Sequence, residues 1–227
     1  MTDGRSQFAR RAVLRRLAVA GTLGAGGLAG LLRAAIAAGH GNAQGGMRSI
    51  KGTVTIDGQP AVIGQQVLPG QKVVTGPGSE AIYVIGKDAF LQHENSEFGI
   101  DRAAGVAVLR YITGKVLSVF GKGKKRLDTP TATIGIRGTG CFIDAGQDST
   151  YFCLCYGGAV VRPKDNPRAR KWIRTRHHES PYYIDSGKSG PAFRPAHVDN
   201  HTDDELVMLE KLVGRLPPFH GKTDSRY

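Results

Sequence analysis

The chain has 227 residues and a formal net charge of +12, with 32 glycines but only 7% aromatic residues. A chain of this length forms one or two domains, and so much glycine favours short strands joined by tight turns over long helices. A basic cytosolic protein would be expected to bind nucleic acid. The N-terminal segment argues against that partner, because it predicts export.

The first 43 residues are typical of an export signal. Arg10 and Arg11, followed by Leu14, precede the apolar run 17–32, which carries no charge and is rich in glycine and alanine. This pattern indicates a twin-arginine signal. Because the run is shorter than the ~20 residues of a membrane span, we expect cleavage and a periplasmic product. The alternative is an uncleaved anchor that holds the domain on the periplasmic side of the inner membrane.

Basic residues also cluster after the signal. Residues 1–43 contain six arginines and one aspartate, so cleavage lowers the net charge from +12 to +7. Such clusters attract polyanions. For an exported protein we expect an envelope protein or an anionic glycan or lipid surface as partner, no nucleic acid, and membrane contact only if the signal is uncleaved; ordinary solvated surface is the alternative. The predicted partner-binding residues are Arg168, Arg170, Lys171, Trp172, Arg174 and Arg176.

Short β-like segments separated by turns fill the chain from residue 50 onwards. Asp57-Gly58 between two such segments is a strong hairpin signal. Turns about ten residues apart or closer indicate an all-β fold, an antiparallel roll or sandwich of short strands. The predicted strands are 52–56, 71–75, 80–85, 89–93, 106–112, 116–120, 131–136, 141–144, 150–156 and 159–162.

The composition changes after the last predicted strand. Pro, Arg, Lys, His and Ser dominate residues 163–200, which predicts an irregular basic arm extended over the β-domain. Thr202 and Glu205 form a capping box before an apolar stripe, so one helix is predicted within 201–216, followed by a tail, 217–227. Since so short a helix cannot bury its stripe alone, we expect it to dock on the β-domain.

A series of turn motifs occurs in a fixed order, and together they resemble the FecR domain family over about residues 50–162, within a β-domain predicted at 44–162. This resemblance implies an exported, non-enzymatic β-domain of an envelope signalling system. Because few residues precede the apolar run, we expect a free-standing FecR-like domain that lacks the sigma-binding N-terminal domain. The motifs are Asp57-Gly58, 67–76, Ser79-Glu80-Ala81, Thr113-Gly114-Lys115-Val116, 129–133 and Arg137-Gly138-Thr139.

The last of these motifs, Arg137, Gly138 and Thr139, is expected to be structural. A guanidinium carries five donors in a planar fork, which can bind carbonyls and a carboxylate between strands. Glycine in the same turn permits the backbone conformation that such a turn requires. We therefore expect Arg137 to fix a turn and not to bind a ligand.

All three cysteines lie between residues 129 and 158. On a strand over 150–156, the side chains of Cys153 and Cys155 share one face. A hairpin centred near Gln147 would place Cys141 opposite Cys153, close enough for a disulfide, which an oxidising compartment favours. Three buried thiols are the second alternative.

The third alternative is a metal site. Thiolates of Cys141, Cys153 and Cys155, with imidazole from His177 or His178 and with His197 or His201 in reserve, would suit copper(I), zinc or an iron–sulfur cluster. This hypothesis predicts a small periplasmic metal-binding or redox protein, as the alternative to an envelope binding or signalling module. Motifs of phosphate-binding loops, zinc proteases and serine hydrolases are incomplete, so we predict no enzyme.

Overall fold

The computed structural model describes residues 45–103, 105–187 and 191–221. The predicted export signal, with Arg10, Arg11 and Leu14, lies outside the described residues. Within them, no helix is both long and apolar enough to cross a bilayer.

Fifteen strands and one helix, α1, make up the regular structure of the described residues. The strands are β1 (Gly46–Lys51), β2 (Val54–Ile56), β3 (Gln59–Pro60), β4 (Lys72–Thr75), β5 (Glu80–Ile85), β6 (Asp88–Gln92), β7 (Ser96–Ala103), β8 (Val106–Val119), β9 (Lys124–Asp128), β10 (Ala132–Arg137), β11 (Gly140–Ala145), β12 (Ser149–Pro163), β13 (Lys171–Thr175), β14 (Tyr182–Asp185) and β15 (Arg194–Pro195), and α1 is Asp203–Leu212.

Two long strands, β8 and β12, belong to two sheets at once. Sheet 1 has the order β1-β5-β6-β8-β11-β12-β14-β15, using the second half of β8 and the first half of β12. Sheet 2 has the order β3-β2-β4-β7-β8-β9-β10-β12-β13, using the other halves. Every pair is antiparallel except β8 with β9, which is parallel.

Glycines mark the points at which the long strands pass between sheets. Gly114 in β8 has φ +79° and Gly157 in β12 has φ +100°. Only glycine adopts such angles without steric cost, and a strand that changes sheet must bend sharply. A Cβ on Gly157 would also lie 2.7 Å from Cγ2 of Thr139. Both the angle and the close approach therefore require glycine at this corner.

The apolar side chains form two cores. The inner core lies between the two sheets and includes the rings of Phe90 and Phe98, whose centroids are 5.0 Å apart. The outer core lies on the other face of sheet 1, where Leu206 and Leu209 of α1 pack over Phe142. Sheet 1 is thus covered on both faces, and α1 is the cover of the second.

The all-β class and the capped C-terminal helix are confirmed. Thr202 and Glu205 form both hydrogen bonds of the capping box. The region predicted as an irregular arm differs, since β13 and β14 pair with β12 inside the sheets and β15 pairs with β14. β13 and β14 each bury one apolar residue, Ile173 and Ile184, and β15 buries none, too few to be recognised as strands from sequence.

The register of the β11–β12 hairpin differs by one residue from the predicted one. Cys153 lies opposite Phe142, and Cys141 lies opposite Leu154. The reason is the turn: four residues separate the last pair, Ala145 and Thr150, where a centre at Gln147 would require an odd number. A one-residue shift moves a side chain to the other face of the sheet.

The three thiols therefore do not converge. Cys141 lies in the inner core, whereas Cys153 and Cys155 lie in the outer core. The prediction that Cys141 faces Cys153 was wrong, and the geometry for a disulfide between them is lost with it. All three cysteines are free and buried.

We expect Gly140→Ala to destabilise the protein by about 1–3 kcal/mol, the usual cost of overpacking. A Cβ at residue 140 would lie 2.6 Å from Cζ of the buried Tyr156 ring. Gly158→Ala is the matched control, because nothing lies within 4 Å of a Cβ there. Urea unfolding should show a lower free energy of unfolding for Gly140→Ala alone. Equal losses in both variants would contradict the close packing of Gly140 against Tyr156.

Candidate metal centre

Four buried side chains bring their ligand atoms together in the outer core. Cys153 and Cys155 come from β12, His178 from the segment after β13, and His201 from the residue before the helix cap. Their sulfur and nitrogen atoms all lie within 4.8 Å of one another. The cysteines are fully buried, and His178 and His201 are 2% and 8% exposed. We call these four residues the Cys₂His₂ cluster.

Local structure fixes each member of the cluster. Cys153 and Cys155 are two residues apart on one strand, so their side chains share a face. The amide of His178 donates to the carbonyl of Cys155 at 2.9 Å, and its φ of +49° turns the chain at that point. The ring of His201 stacks on Phe142, with centroids 4.7 Å apart and planes 7° apart.

The outer nitrogen of each imidazole is held by an oxygen acceptor. His178 Nε2 lies 3.1 Å from Oδ1 of Asp203, and His201 Nδ1 lies 2.7 Å from the carbonyl oxygen of Asp199. Because carboxylate and carbonyl oxygens only accept hydrogen bonds, each outer nitrogen carries the proton. In a neutral imidazole the inner nitrogen then presents a lone pair.

These inner nitrogens face one another. His178 Nδ1 lies 3.1 Å from His201 Nε2 and 3.4 Å from Sγ of Cys153. Two lone pairs at this distance repel each other unless a proton or a cation lies between them. The hydrogen bonds at the back of the rings prevent either ring from turning away.

The charges of the cluster are distributed unevenly between its sulfur atoms. The hydrogen bond from Cys155 lowers the pKa of Cys153 against the effect of burial, and contacts with His178 and His201 lower it further. Burial, followed by the neighbouring Cys153, raises the pKa of Cys155 well above its usual value. Burial alone would lower the pKa of His201, but the hydrogen bond and charge of Cys153 outweigh it, and the pKa is raised.

Two of the distances between the ligand atoms fit one ion. Around a tetrahedral zinc, with Zn–S about 2.3 Å and Zn–N about 2.0 Å, sulfur and nitrogen are about 3.5 Å apart and two nitrogens about 3.3 Å. The distances of 3.4 Å and 3.1 Å agree with these. A two-iron cluster with two ligands on each iron would separate the sulfurs from the nitrogens further.

A carboxylate joins the cluster to a second histidine. Asp203 lies within 2.9 Å of Nε2 of His177 as well as contacting His178. The ring of His177 stacks on Phe219, with centroids 4.3 Å apart. Of the predicted histidine pair, His178 therefore belongs to the cluster and His177 supports it through Asp203.

The other predicted metal ligands lie apart from the cluster. Cys141 faces the inner core, and His197 is exposed, with its backbone carbonyl accepting a hydrogen bond from the hydroxyl of Tyr151. His201 was expected only in reserve, and Asp199 and Asp203 were not expected to take part. Asp203 is the first residue of the predicted helix, so docking of α1 on sheet 1 was the signal that could have placed it.

Of the predicted partner-binding residues, Trp172 and Arg174 line one surface groove. Arg168 and Arg170 are exposed on the loop before β13, and Arg176 is exposed after it. Lys171 instead lies 4.0 Å from the centroid of Tyr182, in a cation–π contact. Trp172 and Arg174 point outward from sheet 2, and Trp172 is 74% exposed.

The predicted turn motif is also placed differently. Gly138 has φ +62°, as expected for a glycine in a tight turn, and Thr139 is fully buried. Arg137 is exposed and lines a surface groove, and its side chain forms no hydrogen bond with any other described residue. The bonds expected between Arg137 and neighbouring strands are not formed, because the side chain points away from the inner core.

We expect Thr202→Ala to destabilise the protein by about 1 kcal/mol, the usual cost of losing a helix cap. Oγ1 of Thr202 accepts from the amide of Glu205 at 3.3 Å, and this cap lies between His201 and Asp203. Thr202→Ser keeps the hydroxyl, so its free energy of unfolding should lie within a few tenths of a kcal/mol of that of the parent protein. Urea unfolding in the presence of a chelator measures the stability of both variants. Equal losses of stability in the alanine and serine variants would argue against the cap.

Among known proteins, the chain is similar to solved structures alone. No family model matches the sequence, and no curated protein matches it. Two crystal structures of a "putative anti-sigma factor" from Parabacteroides distasonis match with TM-scores of 0.47 and 0.46 and 9% sequence identity. Each match covers 56% of this chain, which spans 60% of the solved chain. The resemblance to the FecR family stays a prediction.

Proposed function

We propose that this protein binds a single thiophilic metal ion, zinc in the first instance, through Cys153, Cys155, His178 and His201. One observation carries the proposal: two imidazole nitrogens, each backed by an acceptor, face one another beside two buried thiols. Histidines held from behind in this way are typical of metal ligands. A cation between the four atoms removes the repulsion between the lone pairs and replaces the thiol protons.

The donor set selects the metal class. Two sulfurs and two nitrogens in a tetrahedral arrangement suit zinc, with copper(I) as the soft alternative. Four protein ligands leave no position open for water or substrate, which is typical of a structural site and not of a catalytic one. Sγ of Cys153 is fully buried, so it cannot act as a nucleophile unless α1 first leaves the sheet.

The ion would hold three distant segments together. Its ligands come from β12, from the segment after β13, and from the residue before α1. Because such a site does not exist in the unfolded chain, the free energy of metal binding contributes directly to folding. We infer that the ion fixes the C-terminal helix on sheet 1, and that removing it releases this helix first.

The proposed setting is the bacterial periplasm. The twin-arginine-like pattern of Arg10 and Arg11 supports it, because that export route suits proteins that fold and bind metal before transport. A closed, buried site supports a non-enzymatic role, in which the metal-loaded domain acts as a binding or signalling module of the envelope.

We expect the purified full-length protein to hold about one equivalent of zinc, measured by elemental analysis. Cys153→Ala should lose it, whereas Cys141→Ala should keep it, because that thiol lies on the other face of sheet 1. Cobalt(II) gives a second readout, since tetrahedral thiolate coordination adds sulfur-to-metal absorption that Cys153→Ala should weaken, that His201→Gln should shift, and that Cys141→Ala should leave unchanged. Metal-free protein that gives no cobalt spectrum, or equal loss in the Cys141 variant, would refute the proposal.

We expect Asp203→Asn to weaken zinc binding about 10–100-fold while the stoichiometry stays the same. The amide keeps the shape of the side chain but loses the charge that holds His178 and His177. Asp204→Asn is the matched control, because Asp204 is exposed in the same first turn of α1. Competition with a chromophoric chelator measures both affinities. Similar losses of affinity in the two variants would show that the negative charge of the first helical turn causes the effect, and not the contact of Asp203 with the histidines.

A further inference from the structure

An open groove of about 1140 Å³ crosses the outer face of sheet 2, on the side away from the inner core. It runs over β9, β10, β12 and β13. Gly135 and Gly158 lie on its floor, and a Cβ on Gly158 would meet nothing within 4 Å. The backbone of the sheet is therefore open to close approach along the groove.

Cationic side chains form the sides of the groove. The pairing of β9 with β10 places Arg137 beside Lys124, and the pairing of β12 with β13 places Arg174 beside Gly158. Arg162 adds a third guanidinium from β12. These four side chains form no ion pair with the described residues, and the groove is lined by no acidic side chain. Four of the cations that line the groove are thus not neutralised by any carboxylate of the described residues, whereas Lys125 pairs with Asp88.

The apolar part of the groove centres on Trp172. This is the only tryptophan of the chain, it is 74% exposed, and it lies opposite Val160 in the ladder. Tryptophan and arginine dominate the energetically important residues of protein interfaces. Exposing so large an aromatic surface between arginines indicates that a partner covers it.

We propose that the groove binds an acidic segment of another protein that carries an apolar side chain for Trp172. The charge favours an anionic occupant. The volume exceeds the roughly 300–1000 Å³ of most small-ligand sites, and the concave glycine floor suits an extended chain better than a flat membrane surface. This proposal does not depend on the metal, because the cationic side chains and Trp172 lie on the outer face of sheet 2, whereas the Cys₂His₂ cluster lies in the outer core on sheet 1.

The emission of Trp172 tests the proposal directly, since no other tryptophan contributes. The probe is a twelve-residue peptide of glutamates with two central leucines, titrated into the full-length protein at low salt. We expect a saturable blue shift that disappears with the lysine counterpart of the peptide. Added salt should weaken binding, because the contacts are between charges.

Paired charge reversals locate the site. Arg162→Glu with Arg174→Glu should weaken peptide binding at least about tenfold. Arg168→Glu with Arg170→Glu removes the same charge from the exposed loop before β13 and should change binding less than about threefold, because neither residue lines the groove. All four positions are exposed, and the urea unfolding midpoint of each variant checks that it is folded.

Three results would overturn the proposal. These are an unchanged emission of Trp172, equal losses in the groove and loop variants, and tighter binding of heparin or of phosphatidylglycerol vesicles than of the peptide. The last result would assign the groove to an anionic glycan or to a lipid surface. None of the three bears on zinc stoichiometry, so this proposal and the metal site fail independently.

Discussion

Burial of sheet 1 on both faces is the constraint on which the rest of the structure depends. Residues 151–156 of β12 are all buried, so neither face of this strand can meet water. One face packs into the inner core, and the other needs α1 and the C-terminal segment as its cover. Because the cover brings polar groups into an apolar layer, each of these groups must find a partner there.

Two polar groupings in the outer core satisfy this requirement. The buried carboxylate of Glu210 accepts hydrogen bonds from Tyr156 and from Arg215. At the other end of α1, Asp199 and Asp203 accept from the imidazoles of His201 and His178. The proposed ion would complete the second grouping, since it would lie between the inner nitrogens of His178 and His201 and the sulfur of Cys153. Both ends of the helix are thereby anchored by buried polar contacts and its middle by leucines.

Local patterns predicted what is locally determined, and the non-local features were missed. The alternation in 150–156 placed Cys153 and Cys155 on one face, and the capping box located α1. The hairpin register failed because a four-residue turn and a five-residue turn have similar sequences but opposite consequences for Cys141. Strands β9 and β13 were missed because each buries one apolar residue, Leu127 or Ile173, and is held by its neighbours in the sheet. Likewise, no local pattern could tell which histidine returns to β12, because His201 reaches it only through the docking of α1.

Gly157 is the bend between the two halves of β12, and each half contributes to one of the two proposed sites. The strand supplies two sulfurs to the cluster before this glycine and the floor and one side of the cationic groove after it. A rotation about its backbone would move Cys155 and Gly158 in opposite directions, since the corner is the pivot between the two sheets. A ligand that changed this bend on binding to one half of β12 would therefore change the affinity of the other half for its own ligand. The change in binding free energy would be the same in both directions.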